Sequence, residues 1–250
     1  MYSLTEKAYV LIKKEIITCS LLPGEQISQA QFVEKLGIGL SPVRSALQML
    51  VQEGFLNPIP RFGFFVSIIT LPDVQELFEL RQVLEVTAAR LAVERGSDEM
   101  IKEIAKEANF TYIYKNRDSY TEFLDRNENF HRSIAELSGN NRLVEAVMKV
   151  FGELKRVFHL GLNLRDSADE MKEEHLELSK ALLARDPDQA EAIIRSQVLR
   201  SKDRVIEVLV SGVLSGNSKQ LSHSISLSKL PPPKAVALEQ CAWKARCVAN

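Results

Sequence analysis

Cysteine is scarce. Cys19, Cys241 and Cys247 are the three in the chain, too few and too scattered for a disulfide framework, and they suit a reducing cytosol. Cys241 and Cys247 have no paired His or Cys beside them that would complete a zinc site. No apolar run approaches the roughly 20 residues needed to cross a bilayer. The N-terminus, MYSLTEKAYVLIKKEI, lacks a signal peptide's order of charge, apolar core and small-residue cleavage site. A cytoplasmic protein with no membrane partner is expected. Excess charge of one sign is missing too: the formal net charge is −1, which excludes a basic nucleic-acid coat. There is no nucleophile elbow, phosphate loop, H-E-x-x-H or internal repeat.

What is present is ample apolar material, 45% of 250 residues, enough for one or two packed domains. Charge divides the chain. Residues 1–70 hold 6 Lys/Arg and 5 Asp/Glu, residues 71–213 hold 21 and 27, and residues 214–250 hold 5 and 1. An acidic body argues against its touching DNA, so a near-neutral head must rely on a few placed cations.

In the head, Ala8, Leu11, Ile12 and Ile16 form one face of a helix over about 4–18. Pro23-Gly24 marks a turn, and Gln26-Ile27 a very short strand. Ser28 and Gln31 make a capping box for a helix ending near Leu36. Then comes LGIGLSPVRSALQMLVQEG. Ser41 reads as N-cap, Pro42 as the first helical residue and Gly54 as the stop. Val43, Ala46, Leu47 and Leu50 share an apolar face, while Ser41, Arg44, Ser45, Gln48 and Gln52 lie opposite. That polar face is either a solvated surface or a set of base-reading side chains, since Arg pairs with guanine and Gln with adenine in the major groove. The β-rich runs FLNPIP and FFVSII flank a tip at Pro60-Arg61-Phe62-Gly63. The whole predicts a winged helix-turn-helix over 1–70, with Arg61 offered to a phosphate or the minor groove.

From Thr70 the period becomes helical. TLPD is a capping box opening a helix over 71–95, with Val74, Leu77, Phe78, Arg81, Leu84, Glu85 and Ala88 down one stripe. Further helices are expected at 98–114, 117–137, 141–162, 167–185 and 187–211, an all-α bundle over 71–213. Residues 214–250, Ser-rich and holding Pro231-Pro232-Pro233, read as a disordered tail. The fold class is therefore mostly α.

Within the bundle, Asn127 and His131 share a helix face at i, i+4. His175 and Gln197 lie equally far from the Asp186-Pro187 turn, so an antiparallel hairpin sets them level. The four side chains make a weak metal set for zinc, nickel or manganese, or else ordinary interior polar groups. Arg81, Arg156 and His159 are candidates to hold an anionic ligand, Arg81 because it lies within an apolar stripe.

With these residues in hand, the chain resembles the GntR family of bacterial transcription regulators, in the FadR-like branch whose helical effector domain is called FCD. In the head the resemblance rests on PGEQI, FVEKLGIGLSPVRSALQMLVQEGFL and RFGFFV. In the body it rests on Arg81-Gln82-Val83-Leu84-Glu85, on NENFHRSIAELSGN, on His175, and on Gln197 in the place of the family's last His. Asn127 stands at the family's Asp position, Leu40 where the family has Arg, and Ser45 where it has Glu. The resemblance implies a homodimeric regulator, most often a repressor, on a palindromic double-stranded operator. It implies contacts from Ser41, Arg44, Ser45, Gln48 and Arg61, and a small organic acid as effector. Two other classes remain open: a helical-bundle metalloenzyme with an accessory winged domain, and a winged module used for protein contacts.

Overall fold

The computed structural model describes residues 3–214. Its head begins with α1 (Leu4–Ile17), opened by a full capping box between Ser3 and Glu6. Next come β1 (Gln26–Ile27), α2 (Gln29–Leu36), α3 (Leu40–Gln52), β2 (Leu56–Ile59) and β3 (Gly63–Val66). One half of the expected box at α2 forms, with Gln31 N–H donating to the Ser28 hydroxyl at 3.3 Å. The strands order β1-β3-β2, all antiparallel, with Pro58 opposite Phe64 and Ile59 opposite Gly63. Residues 60–62 are thus the wing tip. The head core is Ala8, Ile12, Ile16, Phe32, Val43, Ala46, Leu47, Leu50, Leu56 and Val66.

The start of α3 differs from expectation. Gly39, not Ser41, is the N-cap, and the helix opens at Leu40 with no side-chain cap bond. Pro42 falls two residues deeper, still within the first turn, where no N–H is needed. The expected end holds. Gly54 adopts φ +80°, its N–H reaches Val51 O at 3.0 Å, and Phe55 N–H reaches Leu50 O at 2.9 Å. That is a Schellman closure, and the left-handed φ explains the glycine.

The body is six helices among the described residues: α4 (Leu71–Arg95), α5 (Asp98–Glu107), α6 (Arg117–Leu137), α7 (Asn141–Leu164), α8 (Ala168–Leu183) and α9 (Pro187–Leu214). The predicted box at Thr70–Asp73 is complete. Asp186 accepts from Gln189 N–H at 2.9 Å and so caps α9, with Pro187 first in the helix. The helix expected over 98–114 stops at Glu107. Beyond it Ala108, Phe110 and Tyr112 are buried while Asn109, Thr111 and Ile113 are exposed. That alternation is the period of extended chain, and the β-branched and aromatic residues there favour it over helix. The body core runs from Val74 and Phe78 through Phe123, Leu154 and Leu178 to Ile194 and Val198. The tail reading for 214–250 lies outside the described residues apart from Leu214, which ends α9.

Head and body meet along α1 and α7. The Arg156 guanidinium on α7 donates to Ser67 O at 2.9 Å, in the segment joining wing to body. The Cys19 thiol, just past α1, donates to Arg156 O at 3.5 Å.

Candidate functional site

Two places carry chemistry. The first is the outer face of α3 and the wing. Burial of Val43, Ala46, Leu47 and Leu50 fixes the helix's rotation and leaves Ser41, Arg44 and Gln48 exposed, with Ser45 half-buried. Glu53, the acid at the end of α3, is held away by Tyr9 and Lys13 on α1, at 2.7 and 2.6 Å. The polar face of α3 is therefore not opposed by its own carboxylate. Arg61 stands exposed at the wing tip with φ +69°. Gln26 fastens that tip by donating to Phe62 O at 2.5 Å.

The second place is inside the body. Asn127 and His131 from α6 and His175 from α8 come together, all nearly without exposure. His175 Nε2 lies 2.9 Å from Asn127 Oδ1, so that nitrogen carries the donated proton. The His131 and His175 rings stand 5.6 Å apart between centroids. Burial pushes His175 well below the usual imidazole range, with His131, Arg81 and Arg204 adding repulsion, so the ring is neutral near pH 7. Phe110, from the extended segment after α5, stacks on it at 4.6 Å.

Behind His131 stands a buried chain of charge. His131 Nδ1 is 2.5 Å from a Glu85 oxygen, and Arg81 Nε donates to the other at 2.6 Å. Burial alone would raise the Glu85 carboxyl, but the Arg81 and His131 charges outweigh it and hold it down at about 2. Phe151 on α7 closes this group, 4.9 Å from the His131 ring and 4.7 Å from the Arg81 guanidinium. Arg81 also reaches the Ser201 hydroxyl on α9 at 3.4 Å.

Gln197 is buried on α9, the helix that packs on α4 and α8. Among the described residues its Oε1 has no hydrogen-bond partner, and neither have His131 Nε2, His175 Nδ1 or Ser179 Oγ. Ser179 follows His175 by one helical turn. An unmet buried polar atom costs about 1–3 kcal/mol, so each of these four is a candidate to bind a polar group.

The other effector candidates are placed differently. Arg156 does not join this group; its guanidinium reaches Ser67 at the head–body junction. His159, one turn along α7 from Lys155, is buried, and burial followed by the Lys155 charge brings it down to about 4. As a metal cage the set is thin. Asn127, His131, His175 and Gln197 supply two imidazoles and two neutral amide oxygens, and the nearest carboxylate is committed to Arg81 and His131. Among the described residues no group of three His, Cys, Asp or Glu is placed to hold a metal ion. Sequence reasoning had no means to find Phe110, Phe151 and Ser201, because each arrives from a distant segment.

A helix-turn-helix with a wing, carried on an all-α body with a buried polar cluster, is the architecture of a DNA-binding regulator. Residues 4–66 match the model of the bacterial regulatory proteins of the gntR family, and residues 76–199 match the FCD domain. The chain belongs to the GntR family of transcriptional regulators, with an FCD body; it is a regulator and not an enzyme. It is 27% identical to the Nta operon transcriptional regulator of Aminobacter aminovorans over 191 residues, covering 76% of this chain and 89% of that one. It is 26% identical to the transcriptional repressor GlaR of Escherichia coli K12, over 76% and 90% of the two chains. A structure described as a GntR regulator from Rhodococcus sp. RHA1 shares the fold at TM-score 0.65 and 21% identity, over 81% of this chain and 97% of that one. E. coli McbR/YncC does so at 0.64 and 22%, over 83% and 99%. No helix among the described residues is long and apolar enough to cross a membrane.

Proposed function

We propose that this regulator is a cytoplasmic homodimeric repressor whose hold on a palindromic operator is set by a small organic acid bound in the body. The observation that carries the ligand reading is the set of four buried, unpartnered polar atoms on His131, His175, Ser179 and Gln197. A carboxylic acid suits them. Its hydroxyls donate to His175 Nδ1, the lone pair left when Nε2 donates to Asn127, and to Gln197 Oε1, while its carboxylate accepts from Arg81, which uses two of its five N–H donors on Glu85 and Ser201.

On the DNA side, Arg44 and Gln48 are the base readers, with Ser41 and Ser45 beside them and Arg61 on the flanking backbone or minor groove. The link between the two sites is α7. It places Phe151 against His131 and Arg81, and a little over one turn later it places Arg156 on the head. A ligand that moves His131 or Arg81 therefore shifts the helix that holds the head. It changes DNA affinity only as far as it binds one arrangement better than the other.

A second reading has a divalent ion, zinc, nickel or manganese, joining the ligand to the protein. It is favoured by His131, whose Nδ1 is held by Glu85 while Nε2 is left over; metal-bound histidines are commonly backed by a carboxylate in that way. The ion would sit among His131, His175, Asn127 and Gln197 and would offer its charge to the acid.

Gel shifts on the region upstream of the protein's own operon test the DNA half. Binding should weaken steeply with salt, and Arg44→Ala should lose about hundredfold or more in affinity. Unchanged affinity would reject α3 as the reader. Native mass spectrometry and elemental analysis of the purified protein test the body. A bound small acid lost in His175→Leu supports the first reading, and about one divalent ion per chain lost in His131→Ala supports the second. A body that carries neither and accepts neither on titration rejects both.

A further inference from the structure

The first residue of α3 is an exposed leucine. Leu40 keeps 55% of its surface open, while Val43, Ala46, Leu47 and Leu50 on the same helix are wholly buried. It belongs to no apolar cluster of the head core. It precedes Arg44 by one helical turn, so the two side chains stand next to each other at the leading end of α3, with Ser41 alongside. A helix that enters a major groove puts its N-terminal residues against the base edges. In that groove the base edges present donors and acceptors, and the one bulky apolar feature is the C5-methyl group of thymine. A branched aliphatic side chain held there gains nothing from a guanine or an adenine edge, and desolvates it without supplying a hydrogen bond.

We propose that Leu40 is a specificity-determining residue that reads a thymine methyl in each operator half-site, at a base next to the one read by Arg44. The inference rests on α3 being the recognition helix. Ser41 and Gly39 fit it sterically. Gly39 has no side chain to shield Leu40, and Ser41 has a short one. The contact is apolar, so its contribution should be nearly independent of salt, unlike the phosphate contacts.

The test uses the full-length protein and the half-site enriched by it from randomised duplexes. Each thymine of that half-site is replaced singly by deoxyuridine, which removes the methyl and leaves base pairing intact. One position should lose about fourfold in affinity per half-site, and about fifteenfold when both half-sites are changed, the scale of one buried methyl. Leu40→Ala should bind the thymine and uracil duplexes equally at that position and keep every other preference. Leu40→Arg should exchange thymine for guanine there. Circular dichroism on both variants should match the parent, since Leu40 lies outside the core.

A half-site with no methyl-dependent position overturns the proposal. So does a methyl effect that persists in Leu40→Ala, since another residue then reads it. Failure to enrich any sequence overturns the recognition-helix reading itself, and the proposal with it.

Discussion

In the head, Ser41, Arg44 and Gln48 stand in solvent over a core of about a dozen apolar side chains. In the body, Asn127, His131, His175 and Gln197 are as buried as the leucines around them. Polar side chains in the two regions thus face opposite constraints. A polar side chain on α3 owes nothing to the fold and is free to serve specificity. A polar side chain in the body costs stability for every hydrogen bond left unmet, so its chemistry and the stability of the domain are linked.

That contrast is broken most forcefully at Glu85. Glu85→Ala leaves the Arg81 charge buried among Phe78, Phe151 and Phe158, and removes the partner of His131. It should cost about 3–5 kcal/mol in urea denaturation. Arg44→Ala, by contrast, should change binding and leave the denaturation midpoint alone.

Acid should expose the same asymmetry. His159 and His175 both have folded pKa values depressed below the ordinary imidazole value of about 6.5, His159 to about 4. The unfolded chain therefore takes up their protons first. The His159 contribution to stability is present above about pH 6.5 and is lost as pH falls from there toward about 4, and the His175 contribution is lost in the same direction. Glu85, also depressed, adds loss below the usual carboxylate range down to about 2. The unfolding free energy from urea denaturation should fall as pH drops from 6 to 4.5, and fall less steeply in His159→Gln. A flat profile over that range would contradict the burial of both rings.

Arg156→Ala tests the join between the regions. Ligand affinity and DNA affinity measured separately should each stay within about threefold of the parent. The ligand's effect on DNA affinity, typically 5- to 150-fold in coupled sites, should shrink toward none. An undiminished effect would move the coupling off α7. The smallest change sharpens the head. At Gly39 a new Cβ would meet Pro42 Cδ at 3.8 Å, an ordinary contact. Gly39→Ser should add the missing cap bond to α3 and raise stability by a few tenths of a kcal/mol.

The head was legible because its signals are local. The core face of α3, the Gly54 stop and the wing all follow from residues within a turn or two of one another. The start of α3 differs because Ser41-Pro42 is a strong cap signal and Leu40 carries none. In the body, helix spacing paired Asn127 with His131, and the Asp186-Pro187 turn placed His175 and Gln197 on neighbouring helices. What spacing could not reach was every contact between segments far apart in sequence: Phe110 on His175, Phe151 on His131, Arg156 on Ser67. The over-long helix after Ser97 has the same origin, because the extended run at 108–113 is chosen by the aromatic cluster it joins. Helical spacing places Glu85 on the buried stripe of α4, but its partnership with His131 needs two helices.

Cys19 turns the junction into something that can be timed. Its thiol is 1% exposed, wedged beneath the head against α7, and burial pushes its pKa up to about 11. While head and body stay closed, an alkylating reagent finds almost no thiolate there. Each opening uncovers it. In a chain carrying Cys241→Ser and Cys247→Ser, the rate of modification becomes a clock for how often the reading head lets go of the body, with no label added and no DNA present.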